Sequence, residues 1–228
     1  MFPLVYAKPR RGLVEPWYLK GGVPLADCLA AYLAKGVVDA ATSYTNLANV
    51  GTYTLTAGAS GPSWGVAAGW TWSGGINEHL TQGDTGAILK PCTFIARVIV
   101  TDVVSARTFM SGSTATGPVA FKVHTDGKPK LEKGATSTIG YATTAITNGL
   151  DTVLAASYSA AGVWAHYTNG VDNGSGTTDT AIIVKTNRIG AASAGDFPMK
   201  GSIAAISIYN TVLTPAQVAA ISAAMAAL

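Results

Sequence analysis

Paired carboxylates would be the strongest sign of catalysis in this chain, because two acids on one strand face can cleave a glycosidic bond. Residues at alternate positions of a β-strand point to the same face, so acids at that spacing can serve as general acid and nucleophile. The chain has only three glutamates, Glu15, Glu78 and Glu132, and none stands at that spacing from another acid. We therefore predict no catalytic residues and a protein that is not an enzyme.

Histidine and cysteine motifs are equally sparse. The three histidines, His79, His124 and His166, are isolated, and the chain has no HExxH or Cys-x-x-Cys spacing that would bind a metal ion. A Gly-x-x-x-x-Gly-Lys phosphate-binding loop is also absent from the sequence. We interpret the histidines as scattered polar surface residues.

Three tryptophans, Trp64, Trp70 and Trp72, are the candidates for binding a glycan. The C–H face of a pyranose ring is apolar and stacks on an exposed indole, and Trp70 and Trp72 would share a face if their segment is a strand. The alternative is that these rings fill the protein core, where large aromatic side chains usually lie. The core interpretation is favoured, and the glycan interpretation stays open.

The composition restricts the function classes further. Only 12% of the 228 residues are charged, against about 25% in an average soluble domain, and the formal net charge is +3. With 48% hydrophobic residues the chain is not of the disordered class, and so small a net charge argues against nucleic-acid binding. The length suits one large all-β domain. So few charges indicate that solubility depends on neutral polar residues, on oligomerisation or on a larger assembly.

The cysteines and the first residues indicate no special targeting. Cys28 and Cys92 are too few for a disulfide framework, and we interpret them as buried thiols. The first residues do not resemble a secretory signal, and no apolar run reaches the ~18 residues of a membrane span. We expect no membrane partner, and a protein that is made in a cytoplasm and that, if it acts outside a cell, leaves by a route other than a secretion signal.

Residues 1–22 are predicted to form an extended basic arm ahead of a domain over 23–228. Prolines interrupt the arm, and four of the 15 basic residues of the chain lie within it. Exposed large aromatics are uncommon without a partner, so the arm either docks on another protein or lies as an ordered extension along its own domain. The docking candidates are Lys8, Arg10, Arg11, Trp17 and Tyr18.

The second half of the chain shows the alternation of short β-strands. In 93–100, Phe94, Ala96, Val98 and Val100 share one face. Asn-Gly and Asp-Gly pairs predict turns, because these residues tolerate positive φ, at 126–127, 148–149, 169–170 and 173–174. Further strand candidates, at a spacing typical of an antiparallel sandwich or barrel, are 119–124, 152–158, 163–168, 180–184 and 202–209.

A short helix is predicted over 24–35, before the strands. Pro24 suits a first helical turn and Gly36 can end the helix. Its apolar face would consist of Leu25, Cys28, Leu29 and Tyr32. From 37 to 86 the sequence is irregular and rich in turn residues.

A second helix is predicted at the C-terminus. Thr214 and Gln217 have the spacing of a capping box, and Pro215 occupies the first helical position. The buried stripe of this helix would consist of Val218, Ile221, Met225 and Leu228.

The segment 197–221 resembles the end of laminin-G-like domains of the concanavalin A-like lectin/glucanase superfamily. That family ends with Phe-x-Gly, an alternating strand that closes on Ile-Tyr-Asn, and a turn into a small helix; the spacing from Phe to Gly is longer here. The matching residues are Phe197, Gly201, Ile203, Ile206, Ile208, Tyr209, Asn210, Leu213, Thr214, Gln217 and Val218, and Tyr167, Asn169 and Gly170 match a preceding strand pair. The resemblance implies an all-β fold, an antiparallel β-sandwich (concanavalin A-like jelly roll) with a short N-terminal and a short C-terminal helix.

The same resemblance implies a calcium site at the rim of the sandwich, since laminin-G-like domains often bind one Ca²⁺ through an aspartate and backbone carbonyls. Calcium takes about six to eight oxygen ligands, commonly from flexible loops. Aspartates in turns more often form Asx turns than bind metals, so Ca²⁺ is an alternative and no other cofactor is predicted. The weak candidates are Asp102, Asp126, Asp172 and Asp179.

The layout of the chain is also similar to laminin-G-like proteins of tailed bacteriophages and prophages. The shared pieces are the basic lead, the run Trp17 to Gly22, a cysteine-containing helix and the run Ser43 to Tyr53. This resemblance implies a structural or decoration protein located in the virion, on a capsid or tail surface, with other virion proteins and copies of itself as partners. The alternative is a carbohydrate-binding adhesin module that recognises host or environmental glycans.

Overall fold

Alternating apolar residues along this chain form the strands of two antiparallel sheets. The computed structural model describes residues 15–58, 60–82, 91–112, 119–133, 137–178, 188–192 and 197–228. The strands are β1 Cys28–Leu33, β2 Leu55–Ala57, β3 Ser63–Gly65, β4 Gly69–Ser73, β5 Leu80–Gln82, β6 Cys92–Val100, β7 Arg107–Ser111, β8 Val119–Val123, β9 Pro129–Lys133, β10 Ser137–Tyr141, β11 Asp151–Tyr158, β12 Val163–Thr168, β13 Val171–Thr177, β14 Arg188–Ile189 and β15 Lys200–Tyr209. The helices are α1 Ala40–Ser43 and α2 Pro215–Ala226.

The strands pair into an eight-stranded and a seven-stranded sheet. The order of the eight-stranded sheet is β13-β12-β11-β6-β15-β4-β3, and β1 also pairs with β15. Since β15 is long, it pairs with β4 through residues 200–203 and with β1 through residues 205–209. The order of the seven-stranded sheet is β10-β9-β8-β7-β14-β5-β2. The predicted class, an all-β antiparallel sandwich, is confirmed.

The inward residues of both sheets form one core. The predicted alternation in β6 is confirmed, because its even-numbered residues from Phe94 to Val100 all lie in this core. From the seven-stranded sheet, Phe109 and Phe121 pack edge to face with ring centroids 5.4 Å apart. Each apolar side chain buried in this way contributes about 1.5–3 kcal/mol, so the shared core holds the two sheets together as a stable sandwich.

A second apolar cluster covers the outer face of the eight-stranded sheet. The predicted C-terminal helix is confirmed: Thr214 and Gln217 form the capping box and Pro215 begins α2. Val218, Ile221 and Met225 are fully buried in the predicted stripe. The cluster beneath the helix also includes Tyr18, Ile95, Val153, Ala155, Tyr167, Ala205 and Tyr209.

The predicted helix over 24–35 is wrong. A 3-10 turn, Leu25–Asp27, lies directly before β1, and β1 pairs with β15. The strand is buried on both faces: Ala30 and Tyr32 lie in the core between the sheets, and Ala31 lies in the cluster under α2. A strand with two buried faces lacks polar alternation, so its apolar run has the same appearance as a buried helix.

Residues 37–86 contain more regular structure than predicted, because α1 and the four short strands β2 to β5 lie there. The turn at 169–170 is confirmed: Asn169 and Gly170 have φ of 51° and 79° and connect β12 to β13. The turn predicted at 173–174 is wrong, since both residues lie inside β13. The strand predicted over 180–184 lies outside the described residues. Among the described elements, no helix has the length and apolar character needed to cross a membrane.

Candidate functional site

The outer face of the seven-stranded sheet carries polar side chains where its inner face carries apolar ones. In β8 and β9, Phe121 and Leu131 lie in the core, so the alternation points Lys122, Lys130 and Glu132 outward. The register sets Lys122 opposite Lys130, with Glu132 two positions further along the same face of β9. Backbone pairing thus brings two cations and one carboxylate together on neighbouring strands.

These three side chains, which we call the Lys–Glu–Lys triad, are closely paired. Lys122 Nζ lies 2.6 Å from Glu132 Oε1, and Lys130 Nζ contacts Glu132 Oε2. The three side chains are between 4% and 7% exposed, and ionised groups so far from water need such partners. Burial alone would lower the pKa of Lys130, but its hydrogen bonds with Glu132 and Tyr141 outweigh burial and raise that pKa above its usual value.

Three rings, which we call the aromatic group, lie beside the triad: Phe197, Tyr141 and His124. Lys122 Nζ lies 4.5 Å from the centroid of the Phe197 ring, and Lys130 Nζ lies 4.8 Å from the centroid of the Tyr141 ring. The His124 ring packs edge to face on Tyr141 at 5.5 Å. Phe197 is 37% exposed, and the Tyr141 and His124 side chains are half-buried.

The backbone of Phe197 is held in an uncommon conformation. Its φ is 51°, in the left-handed region that residues other than glycine rarely adopt, at a cost of about 1–3 kcal/mol. A hydrogen bond from the N–H of Thr108 to the carbonyl of Phe197 (3.1 Å) fixes the segment against β7. Strain of this kind persists where the surrounding structure determines it, and it is concentrated at functional sites.

This arrangement is suited to binding and not to acid–base catalysis. A partly exposed ring offers a flat apolar face, and the phenol of Tyr141 and the imidazole of His124 can exchange hydrogen bonds with hydroxyl groups. The carboxylate of the triad, on Glu132, is buried between two ammonium groups. The face can therefore hold a flat polyhydroxylated ligand, whereas its acid is already engaged within the protein.

None of these residues was assigned to a site by its sequence pattern. Phe197 entered only as part of a fold motif, and Tyr141 lies in β10, which no pattern predicted. The strand predicted over 119–124 does contain Lys122 and His124, and alternation sets both apart from Phe121. The sequence does contain a usable signal: Lys130 and Glu132 are charged and Leu131 between them is apolar. Charges at every second position of a strand indicate an outward polar face.

The structure places the three tryptophan candidates elsewhere. Trp70 and Trp72 share one face of β4, but that face points into the core, where they are 0% and 2% exposed. Trp70 Nε1 donates to Ser43 Oγ (2.9 Å), and the half-buried Trp64 donates from Nε1 to the carbonyl of Ala34 (2.8 Å). A buried indole has no free face for a sugar, so the geometry of Trp70 and Trp72 corresponds to the core interpretation.

The described calcium candidates each have a partner within the protein. Asp102 forms ion pairs with an arginine and with Lys200 (Nζ to Oδ2, 2.7 Å), and hydrogen bonds from Lys200 and that arginine hold its pKa at about 2. Asp126 and Asp172 accept hydrogen bonds from the N–H two residues further on (3.0 and 2.8 Å), as in Asx turns. Within the part of the chain that the structure describes, no three His, Cys, Asp or Glu side chains are grouped to hold a metal ion. Asp179 lies outside that part, and Ca²⁺ stays a prediction.

One histidine is buried, contrary to the prediction of surface histidines. His166 is 0% exposed on the inner face of β12, with its ring centroid 6.2 Å from that of Phe121 and 5.6 Å from that of Trp164. Its Nε2 lies 3.2 Å from the carbonyl oxygen of Gly140, to which a neutral imidazole can donate. Burial lowers the pKa of His166 to about 4. The other two histidines are half-buried.

Residues 61–65, Gly-Pro-Ser-Trp-Gly, match the Gly-x-Ser-x-Gly pattern of serine hydrolases. In such enzymes the serine stands on a sharp turn between a strand and a helix. Here Ser63 lies in β3, its Oγ donates to the carbonyl of Thr71 (3.2 Å), and the next element is β4. The motif therefore lacks the local geometry that would activate its serine.

The described part of the predicted arm lies on the domain itself. Tyr18 is buried under α2, its hydroxyl donates to the carbonyl of Leu47 (3.0 Å), and its carbonyl accepts from the Tyr209 hydroxyl (2.8 Å). Trp17 packs against the same cluster. The basic candidates Lys8, Arg10 and Arg11 lie outside the described residues. Docking of the arm on a partner stays a prediction.

The fold is a lectin-like β-sandwich. Two antiparallel sheets pack face to face, α2 covers the outer face of one sheet, and the aromatic group lies on the outer face of the other. The chain belongs to the concanavalin A-like lectin/glucanases superfamily, because a laminin-G family model of that description matches residues 73–219. This membership was predicted from 197–221 and is confirmed. No curated protein matches the sequence.

Solved structures share this fold at low sequence identity. Domain 4 of AbnA, a GH43 extracellular arabinanase from Geobacillus stearothermophilus in complex with arabinotriose, has a TM-score of 0.63 at 19% identity, over 86% of this chain and 98% of that one. The binding domain of Paraclostridial Mosquitocidal Protein 1 has a TM-score of 0.64 at 11% identity, over 87% and 52%. The Ruminococcus gnavus IT-sialidase CBM40 bound to α2,3 sialyllactose has a TM-score of 0.51 at 14% identity, over 59% and 83%. At these identities the likeness shows the fold alone.

Proposed function

We propose that the chain is a non-catalytic carbohydrate-binding module whose binding face is the outer face of the seven-stranded sheet. The observation that carries this proposal is the aromatic group, Phe197, Tyr141 and His124, partly exposed beside the buried triad. Each cation–π contact from a triad lysine stabilises a ring by about 0.5–2 kcal/mol. The rings are therefore positioned before a ligand arrives, which reduces the entropy lost on binding.

The similar structures support a sugar as the ligand class. Domain 4 of the arabinanase is in complex with arabinotriose, and the CBM40 of the sialidase is bound to sialyllactose. Both come from glycan-degrading enzymes. The same sandwich in this chain, with aromatic rings on an outward polar face, is the arrangement that a binding module of this kind requires.

The glutamates support binding over catalysis. Glu132 lies between two lysines, and Glu78 accepts hydrogen bonds from the N–H and the hydroxyl of Ser73 (2.8 and 2.6 Å). Glu15 lies 3.7 Å from Lys20. A glycosidase needs two carboxyl groups that flank the scissile bond, whereas each glutamate here already has a partner in the protein.

The virion role and location predicted from the layout of the chain stay predictions. A module that binds surface glycans is what an adhesin on a virus particle needs, so the proposed activity is compatible with that setting. Co-sedimentation of the protein with purified particles is the measurement that would establish the setting separately from sugar binding.

The proposal is tested by affinity electrophoresis of the full chain in gels that contain arabinan, pectin or bacterial polysaccharides. We expect at least one polysaccharide to retard the wild-type protein, and Tyr141→Ala and Phe197→Ala each to weaken binding about tenfold, equivalent to ~1.4 kcal/mol. The control is Trp17→Ala, which removes a half-buried ring from the other side of the sandwich and should leave binding unchanged. Wild-type affinity in folded Tyr141→Ala and Phe197→Ala variants would contradict the proposal, as would the absence of binding to every polysaccharide.

A further inference from the structure

Helix α2 leaves part of the outer face of the eight-stranded sheet uncovered, and a cleft lies there. Where α2 ends, Arg97 Nη1 donates to the carbonyl of Met225 (3.0 Å), and Arg97 also lines the cleft. The cleft has a volume of about 260 Å³. Sites for drug-sized ligands usually occupy about 300–1,000 Å³, so this cleft suits a ligand with a single ring.

Small side chains create this space. Ala67 and Ala68 of the turn between β3 and β4 form one wall, and Ser202 and Ala204 of β15 form part of the lining opposite. Gly69 has φ of 78°, and a Cβ at that position would lie 3.2 Å from the Cα of Ala204. Because glycine lets the turn approach β15 so closely, the cleft is a built feature of the fold and not a gap in its packing.

A fixed carboxylate stands at one side of the cleft. Arg97 Nε lies 3.0 and 3.1 Å from the two carboxylate oxygens of Asp151, and Arg97 Nη2 lies 2.6 Å from Oδ2. The Arg97 side chain is 8% exposed, whereas Asp151 remains 40% exposed. Three of the five guanidinium N–H groups bond to Asp151 and the helix carbonyl, while the carboxylate oxygens keep lone pairs for hydroxyl donors.

A lysine, Lys35, also lines the cleft. The backbone N–H groups of Ala34 and Lys35 both donate to the carbonyl of Ala204 (2.8 and 3.1 Å), which fixes the base of the Lys35 side chain beside β15. Within the described ranges, Lys35 forms no ion pair. Lysine is a strongly hydrated point charge, and without a protein partner it can bind an anionic ligand.

We infer that this cleft is a second binding site, for a polyhydroxylated carboxylate of the size of one uronic-acid residue. Lys35 pairs with the ligand carboxylate, Asp151 and Ser202 bond to its hydroxyls, and the alanines contact its C–H face. A neutral sugar satisfies Asp151 but leaves Lys35 without a counter-charge, so the site selects acidic sugars. The inference does not rest on the proposed function, since the cleft and the aromatic group belong to opposite sheets.

The inference is tested by titrating the isotope-labelled full chain with D-galacturonate and, separately, with neutral D-galactose, and following amide shifts by NMR. We expect galacturonate to shift the amides of Lys35, Asp151 and Ser202, with weaker binding at high salt because the pairing with Lys35 is electrostatic. Lys35→Gln should weaken binding at least tenfold. The matched control is Lys128→Gln, in the turn between β8 and β9, which should bind as the wild type does.

A second variant tests the shape of the cleft without changing its charge. Ala68 is exposed, so Ala68→Leu should fold normally while its larger side chain narrows the cleft and weakens galacturonate binding. Any of four results would overturn the inference: no binding of galacturonate, equal shifts with galactose, wild-type affinity in Lys35→Gln, or shifts confined to the seven-stranded sheet.

Discussion

The outer faces of the two sheets carry different kinds of side chain, although both sheets present apolar residues to the same core. On the eight-stranded sheet the outward residues that lie under α2, such as Ile95 and Ala205, are apolar. On the seven-stranded sheet the outward residues of β8 and β9 include the Lys–Glu–Lys triad, whose charges neutralise one another in part. One face is covered in part by the protein's own helix, and the other carries ion pairs and partly exposed rings.

The two faces also contribute differently to the stability of the fold. Burying an apolar side chain contributes about 1.5–3 kcal/mol, so the helix-covered face supports the fold directly. Burying a charge costs free energy that pairing only repays in part, so the triad is weak evidence for stability. The triad contributes little to stability, but its lysines hold the partly exposed rings in place. A role in the proposed binding therefore explains the triad better than a role in stability does.

The largest expected effect comes from breaking the triad. Glu132→Gln keeps the shape of the side chain but leaves Lys122 and Lys130 buried without a counter-charge. Removing one partner of a buried ion pair typically costs about 3–5 kcal/mol. We expect the free energy of unfolding to fall by about that amount, measured by urea denaturation with an unchanged m value.

The matched control replaces the whole triad with apolar residues, as Lys122→Met, Lys130→Met and Glu132→Leu together. Its stability should stay close to that of the wild type, because well-packed apolar residues can replace a buried ion network. This variant would also make the two outer faces alike. A loss below about 1 kcal/mol in Glu132→Gln is the size expected of exposed ion pairs, and it would remove the contrast between the faces.

The second prediction is that acid destabilises the strands around His166 before it destabilises α2. Burial lowers the pKa of His166 to about 4, from an ordinary value of 6.5. The unfolded chain takes up a proton as the pH falls through 6.5, whereas the folded chain does so only near pH 4. The stability that depends on neutral His166 is therefore complete above pH 6.5 and is lost as the pH falls towards 4, about 3 kcal/mol in total.

Because His166 bonds to Gly140 of β10, we expect acid to expose the amides of β10 and β12 before those of α2, measured by hydrogen exchange between pH 6.5 and 4. His166→Gln should flatten the dependence of unfolding free energy on pH in this range. His124→Gln, at a half-buried position, serves as the control and should retain it. Parallel pH profiles for the wild type and His166→Gln would contradict the prediction.

Elements whose apolar residues keep a regular spacing between polar ones could be predicted from the sequence. In β6 the alternation from Phe94 to Val100 is direct, and α2 has both a capping box and a stripe at helical spacing. β1 failed for the opposite reason. Ala31 is buried under α2 and Ala30 and Tyr32 are buried between the sheets, so the pattern contained no polar residue that could distinguish a strand from a helix.

The candidate site could be predicted only in part, because its residues come from segments distant in the chain. The strand predicted over 119–124 contains Lys122, but only the register of β8 and β9 sets it opposite Lys130 and near Glu132. Phe197 reaches Lys122 because the segment before β15 is bonded to β7. Register and chain path are tertiary properties, and a local pattern does not specify them.

The smallest expected effect comes from a threonine that caps α2, and we compare it with a threonine on the outer face of the seven-stranded sheet. Thr214 Oγ1 accepts from the N–H of Gln217 (3.2 Å), and Gln217 Oε1 accepts from the N–H of Thr214 (3.0 Å). Thr214→Ala leaves the N–H of Gln217 unpaired at the start of α2, which typically costs about 1 kcal/mol. Thr138 is exposed in β10 and forms no hydrogen bond through its side chain within the described part of the chain. Thr138→Ala should therefore stay within about 0.5 kcal/mol of the wild type.

Both threonine variants are measured by thermal unfolding, where 1 kcal/mol corresponds to about 2–4 °C for a domain of this size. A lower midpoint for Thr214→Ala alone would show that the helix contributes to global stability, since fraying of an independent helix would leave the midpoint of the sandwich unchanged. Equal midpoints for the two variants would mean that α2 can separate from the sheet without unfolding it. The eight-stranded sheet would then have an outer face as open to partners as that of the seven-stranded sheet, and the contrast between the two faces would be one of composition and not of stability.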